Sequence, residues 1–524
     1  MIMFFHLRVT TLLLIAFIVV LFLAPGKNGV CGENSEKRSV PNVVFILTDD
    51  QRWDCLSCVG HPLLQTPHMD RVAREGTRFT NMFVTTSLCS PSRASMLSGL
   101  YAHTHGVINN FIDYPANLRS FPQQLQSAGY ETAYIGKWHM DEENDDPRPG
   151  FDYWASHKGQ GMYYDTPFNI NGKRDILKGY YTTRVTDLAV DWLKDRSPDR
   201  PFMLMLGHKA PHTPAVPEPK YANLFDDVPI SYPPSAFTLD DKPEWIRERL
   251  TTWHGIYGPL WGFREKFPDA SPEAVKDFAA FVRSYFAVIK SVDDSLGRIF
   301  AVLEETGQLD STLLIFGSDN GFFLGEHGMM DKRTAHEESL RVPLLVRFPP
   351  LARPGTVVEQ TVLNIDLAPS ILDICGAPPL SNIHGRSWKP LIEGDSDWIG
   401  LSNWRTMWFY EYNYEKQFPY TPNVRAVRTD EQKFVEFPAP SRPSRHNVHG
   451  GLWGTRSMEI HPLSARRRRP GSSHGRALQS YGRSARIKEF DQRSGSCRQG
   501  GRVEGEPGVD ATRDRNLARP YAAG

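Results

Sequence analysis

The chain has 524 residues, with 60 Lys and Arg against 60 Asp and Glu, and a formal net charge of zero. That balance excludes nucleic acid and anionic surfaces as partners recognised by overall charge. Hydrophobic and charged contents of 40% and 23% are those of a globular protein, and the length predicts one large domain with a smaller one.

In chain order, His6 and Arg8 precede an apolar run from Val9 to Ala24, broken only by Thr10 and Thr11, then Pro25-Gly26. The run is short for a membrane span and has the build of a secretory signal, cleaved at Ala24-Pro25-Gly26 or near Gly32. Residues 1–32 are expected to be this signal; an uncleaved anchor is the rival reading and the only membrane contact expected. No Asn opens an Asn-x-Ser/Thr sequon, so the expected destination is a bacterial periplasm or the medium rather than a glycosylating route.

Val43 to Thr48 (VVFILT) is a continuous apolar run, the pattern of a strand covered on both faces. Asp49-Asp50 follows it directly. Cys55 and Cys58 form a C-x-x-C with no second pair, which reads as a buried or incidental pair rather than a metal or redox site. In SLCSPSRASMLSGL, Pro91 can open a short helix through Ala94 to Leu97, leaving Cys89 near its N-terminus and Arg93 just inside. As a thiolate nucleophile Cys89 needs a nearby base; as a buried structural cysteine it needs no charged Arg93. Lys137 and His139 lie on one face of an extended GKWH, while His103, His105 and His208 either line a pocket or pack.

Phe202 to Leu206 is a second apolar strand, and the proline- and aromatic-rich stretch from Pro211 to Pro268, which holds His212, has the character of pocket-building loops. Pro272 to Thr306 is a long amphipathic helix with Ser271 as N-cap and Gly307 past its end. Leu313 to Gly317 is a third strand, followed by Asp319-Asn320. Strands alternating with helices predict an α/β sandwich around a mostly parallel sheet. Either acidic pair alone could be a cap or a turn. Two such pairs at matching strand ends favour a site for Ca²⁺ or Mg²⁺ built from hard oxygen donors.

The motif Cys89-Ser90-Pro91-Ser92-Arg93 with Ser98-Gly99 resembles the signature of the formylglycine-dependent sulfatase family. NVVFILTDDQ, GYETAYIGKWH, KAPHTP, GSDNG, DKRTAHEESLRVPLLVRFP and NIDLAPSILDICG stand in that family's order over roughly Pro41 to Pro438. The resemblance implies an alkaline-phosphatase-like sandwich: a catalytic domain over 41–375 and a small α+β subdomain over 376–440. It implies that a maturation enzyme converts Cys89 to formylglycine, whose hydrate attacks a sulfate ester and then ejects sulfate by reforming the aldehyde. It further implies one Ca²⁺ held by Asp49, Asp50, Asp319, Asn320 and the modified Cys89. Arg93 would fix the nucleophile, Lys137 and Lys332 would bind sulfate oxygens, His139 would orient or deprotonate the nucleophile, and His212 would protonate the leaving oxygen.

YAHTHGVINN, GFDYW with YYDTPFNINGK, and SVDDSLGRIFAVLEETGQLD resemble the N-acetylglucosamine-6-sulfatase branch, implying 6-O-sulfated sugars of mucin or glycosaminoglycans as substrate. KWHM follows instead the general bacterial pattern. A phosphodiesterase or phosphonate monoester hydrolase on the same scaffold, or an inactive glycan-binding relative with Cys89 unmodified, are the alternatives. Residues 441–524 hold 16 Arg, one Lys and seven Asp or Glu, a net +10. No regular element is expected there, so the subdomain would be incomplete. A frame change in the gene, a divergent disordered tail or a nucleic-acid-binding arm would each account for such a composition.

Overall fold

The computed structural model describes residues 40–238, 240, 242–247, 270–394, 404–416, 421–429, 432–438 and, as backbone, 458–462, all within the compact unit Met1–Ser464. The expected export signal lies outside the described residues, as does all of the Arg-rich tail except 458–462.

The elements that position the site are β1 (Asn42–Asp49), α1 (Pro67–Glu75), β2 (Thr77–Phe79), α2 (Cys89–Ser98), α3 (Phe121–Ser127), β3 (Glu131–Gly136), β4 (Tyr153–Ser156), β5 (Tyr164–Ile170), β6 (Lys173–Tyr180), α4 (Tyr181–Asp195), β7 (Phe202–Pro211), α5 (Pro272–Glu305), β8 (Thr312–Ser318), β9 (Leu344–Arg347), β10 (Thr356–Val358) and α6 (Leu367–Ile374). A smaller sheet follows: β11 (Met407–Tyr412), β12 (Val424–Thr429), β13 (Gln432–Glu436) and β14 (Met458–Pro462).

The large sheet has the order β10-β2-β9-β8-β1-β7-β3-β4-β5-β6. Its centre, β8-β1-β7-β3-β4, is parallel, and antiparallel strands flank it on both sides. Every residue of β1 is buried because helices cover both faces. Val43, Phe45 and Leu47 enter one core with residues of α2, α3 and α6, whereas Val44 and Ile46 enter a second with α1, α4 and α5. This is the α/β sandwich expected. Helix α5 begins as its sequence predicts: Ser271 Oγ accepts from Ala274 N, Pro272 opens the helix, and Gly307 turns away with φ +66°.

Parallel register carries the four chemistry-bearing segments to one edge. Thr48 pairs with Ser318, which sets Asp49 and Asp50 beside Asp319; Asp49 pairs with Pro211, beside His212; and Gly136 pairs with Gly207, so that Lys137 follows. Gly136 has φ +108°, and a Cβ there would stand 1.9 Å from the Gly207 carbonyl oxygen. Left-handed strain and a backbone collision both act on Gly136→Ala, at a cost of about 2–5 kcal/mol. A denaturation midpoint unchanged from wild type would show that this turn is not held as described.

Three expectations are corrected. The helix expected to open at Pro91 starts at Cys89 itself. GKWH is not extended throughout: β3 stops at Gly136 and His139 adopts φ +55°. The chain past residue 440 is not without regular structure, since β14 pairs antiparallel with β13 and completes a four-stranded sheet. The sequence between 436 and 458 carries no periodic pattern that would announce this distant partner.

Candidate active site

Nine of the ten residues expected at the site join one hydrogen-bonded and ionic network at the carboxyl edge of β8, β1, β7 and β3, and the tenth, His139, borders it. Helix α2 presents Cys89 in its first turn and Arg93 one turn later, so both side chains share a face. The Cys89 side chain is fully buried, its Sγ 3.4 Å from Asp49 Oδ1 and 3.3 Å from Lys332 Nζ. Arg93 Nε donates to Asp319 Oδ2 at 2.9 Å, and its Nη2 lies 3.6 Å from Asp49 Oδ2. Lys137 donates to Asp49 and to Gln160, and Lys332 donates to Asp50. The Asp50 main-chain N–H donates to Asp319 Oδ1 at 3.2 Å, and Asn320 Nδ2 donates to Asp50 Oδ1.

Three buried carboxylates thus face three buried cations, and burial alone does not decide their protonation. Burial pushes Asp49 up, but Lys137, Arg93 and Lys332 outweigh it and hold the carboxyl well below the usual range. Asp50 is pushed up to about 7 by burial and by Asp49 and Asp319, against Lys332. Burial and Asp49 drive the Cys89 thiol well above its ordinary value, against Lys137 and Lys332. An unmodified Cys89 is therefore a neutral thiol here, and the helix N-terminus does not offset that.

Two buried oxygens in this cluster, Asp50 Oδ2 and Asn320 Oδ1, have no hydrogen-bond partner among the described residues. Ligand atoms of Asp49, Asp50, Cys89 and His212 lie within 4.8 Å of one another. Asp319 lies outside that group, and its oxygens accept from Arg93 Nε and the Asp50 N–H. The donor chemistry, hard oxygens with two of them unpaired, fits a divalent cation. His212 Nδ1 lies 2.6 Å from the Thr213 carbonyl and Nε2 lies 3.8 Å from Asp50 Oδ2, and burial holds the ring neutral. His139 touches the cluster through its main chain, whose carbonyl accepts from Ser90 Oγ, while its ring Nε2 meets Glu142.

Several neighbours carry no sequence signal. Gln160 accepts from Lys137 through its side chain and, at 3.3 Å, from Lys209 through its carbonyl. Lys209, brought down to about 7 by burial and Lys137, lies inside the KAPHTP block and was legible only there. Asn110 accepts from the Ser90 N–H at 3.0 Å, and Tyr285 donates to the Asp50 carbonyl. The ambiguous histidines do not join the network: His105 packs against Ser95, His208 against Ser295, and His103 pairs with Glu411 near the surface. Cys55 and Cys58 are free thiols.

The chain is similar to several known proteins. The family model described as Sulfatase matches residues 41–377, and one described as N-sulphoglucosamine sulphohydrolase, C-terminal, matches 325–442. An N-acetylglucosamine-6-O-sulfatase of Bacteroides thetaiotaomicron is 33% identical over 77% of this chain and 79% of its own. A solved structure described as BT4656 in complex with its substrate D-glucosamine-2-N,6-O-disulfate superposes with TM-score 0.69 at 32% identity, covering 80% of this chain and 91% of that one. A phosphonate monoester hydrolase of Agrobacterium radiobacter superposes with TM-score 0.60 at 25% identity, over 76% and 87%.

Proposed function

The chain belongs to the sulfatase family and is a sulfuric ester hydrolase, and from that premise we propose that it removes 6-O-sulfate from N-acetylglucosamine units of mucin or glycosaminoglycan sugars, using formylglycine at position 89 and Ca²⁺. The observation that carries the reading is Cys89 itself: a buried thiol, kept from ionising, ringed by three carboxylates and three cations. As a thiol it is a poor nucleophile; conversion to formylglycine supplies a hydroxyl nucleophile that can later be released by elimination. Asp49, Asp50, Asp319 and Asn320, with the modified residue 89, would hold Ca²⁺, whose charge stabilises the sulfate oxygens.

Around that centre each side chain has a task its position supports. Arg93, always charged, clamps Asp319 and fixes the first turn of α2. Lys137 and Lys332 would turn part of their charge to sulfate oxygens. His212 is neutral in this structure, and the negative charge of a bound sulfate would favour its protonated form, readying it to protonate the leaving oxygen. Export before action is proposed from the apolar N-terminal run; among the described residues no helix is long and apolar enough to cross a membrane.

Identity to the N-acetylglucosamine-6-O-sulfatase exceeds that to the phosphonate hydrolase, which favours sulfate over phosphonate. The test is turnover by protein matured in a competent host. N-Acetylglucosamine 6-sulfate should exceed its galactose-configured counterpart by about 10²-fold or more in kcat/KM, the discrimination available to a site that hydrogen-bonds a hydroxyl. An aryl phosphonate turned over faster than the matched aryl sulfate would sink the reading, and so would equal rates on the two sugars for the assigned substrate.

A further inference from the structure

The segment after Lys137 holds a second device. His139 and Asp141 both adopt left-handed backbone, φ +55° and +73°. Neither is glycine, and such strain persists only where the surroundings impose it. Its result is that Glu142, three residues on, folds back over the His139 ring, with Oε1 2.9 Å from Nε2. The ring is fully buried. Its other nitrogen, Nδ1, is buried and has no hydrogen-bond partner among the described residues. Gly159 packs against the far oxygen of the same carboxylate: a Cβ there would stand 2.3 Å from Glu142 Oε2. Glycine at 159 therefore leaves the room in which the carboxylate sits.

We propose that Glu142 is a positioning residue that fixes His139 as the Nε2–H tautomer and so leaves Nδ1 as the lone-pair nitrogen of the ring. An ionised carboxylate can only accept a hydrogen bond, so the Nε2 facing it carries the hydrogen. A neutral imidazole has only one, and burial and Lys137 keep this ring neutral. Nδ1 then holds the lone pair. On the sulfatase reading, the O–H of the hydrated residue 89 would break with its proton passing to this lone pair, and Glu142 would balance the imidazolium charge through the Nε2–H bond. The proton step rests on the sulfatase reading; the tautomer does not.

The two are tested separately. In protein with ¹⁵N-labelled histidine, long-range ¹H–¹⁵N spectra report the tautomer, with the His139 signals identified by their loss in His139→Gln. Wild type should show the Nε2–H pattern. Glu142→Gln should shift the signals toward the other tautomer and lower kcat roughly 10–100-fold, as loss of an orienting partner does elsewhere, with KM within about twofold. Glu142→Asp should restore part of kcat. Gly159→Ala, which displaces the carboxylate without altering it, should reproduce the Glu142→Gln spectrum. An Nδ1–H wild-type tautomer overturns the assignment. So does a Glu142→Gln protein that loses melting temperature and kcat while its tautomer stays unchanged, because that is a structural role. If no sulfate ester is turned over by wild type, the spectra still decide what Glu142 does, and only the sulfatase reading falls.

Discussion

Cys89→Ser should abolish multiple turnover while retaining a single one. Expressed in a host whose maturation enzyme acts on cysteine, the variant carries a hydroxyl where the thiol lies 3.4 Å from Asp49 and 3.3 Å from Lys332. That hydroxyl can displace the alcohol of a sulfate ester, but it has no second hydroxyl through which to eject sulfate. Turnover should fall by at least about 10⁴-fold, the scale of losing a nucleophile. Intact mass after incubation with substrate should rise by one SO₃ unit per chain, and Cys89→Ala should show no such gain. Wild-type turnover by either variant would remove position 89 from the chemistry. A Cys89→Ser protein that is inactive and never gains mass would leave no support for attack from this position.

Much of this site was legible because two strands announce themselves. VVFILT and LLIFG are unbroken apolar runs, as strands buried on both faces must be; Asp49-Asp50 follows the first at once, and Asp319-Asn320 follows the second after Ser318. Parallel pairing in register then leaves those pairs no choice but to meet. Helix α5 was equally clear, since its cap, its first proline and its apolar face all agree. Lys332 was legible only through family order: it reaches Asp50 across 282 residues from a short strand-and-turn segment with no periodicity. Glu142 and Gln160 were not legible at all. Their roles come from a left-handed turn and a glycine-flanked loop, and nothing in DEEND or GQG sets a site residue apart from the polar residues of any exposed loop. The antiparallel flank β5–β6 was missed for a similar reason, because much of β6 is exposed and its alternation is weak.

Removing the proposed Ca²⁺ should cost stability as well as activity, and the cost should grow with pH. In the structure burial, Asp49 and Asp319 push Asp50 up to about 7, against Lys332. A carboxyl raised in this way binds more protons folded than unfolded between about pH 4 and 7, so its contribution to stability falls as pH rises through that window. A divalent cation held by Asp50 and Asn320 would offset the loss, since Asp50 Oδ2 and Asn320 Oδ1 have no hydrogen-bond partner among the described residues. With free ion at a hundredfold over its dissociation constant the gain is about 2.7 kcal/mol, enough to move the melting temperature by several degrees. Below about pH 7 the ion must first displace a proton from Asp50, so the gain shrinks as pH falls. Melting curves in chelator and in CaCl₂ at about pH 5, 6.5 and 8 should therefore diverge progressively, and Asp50→Asn should blunt the divergence. Turnover should disappear in chelator and return with Ca²⁺. Curves that coincide at every pH would mean that this cluster holds no ion, and its three cations would then be the whole of its answer to a bound sulfate.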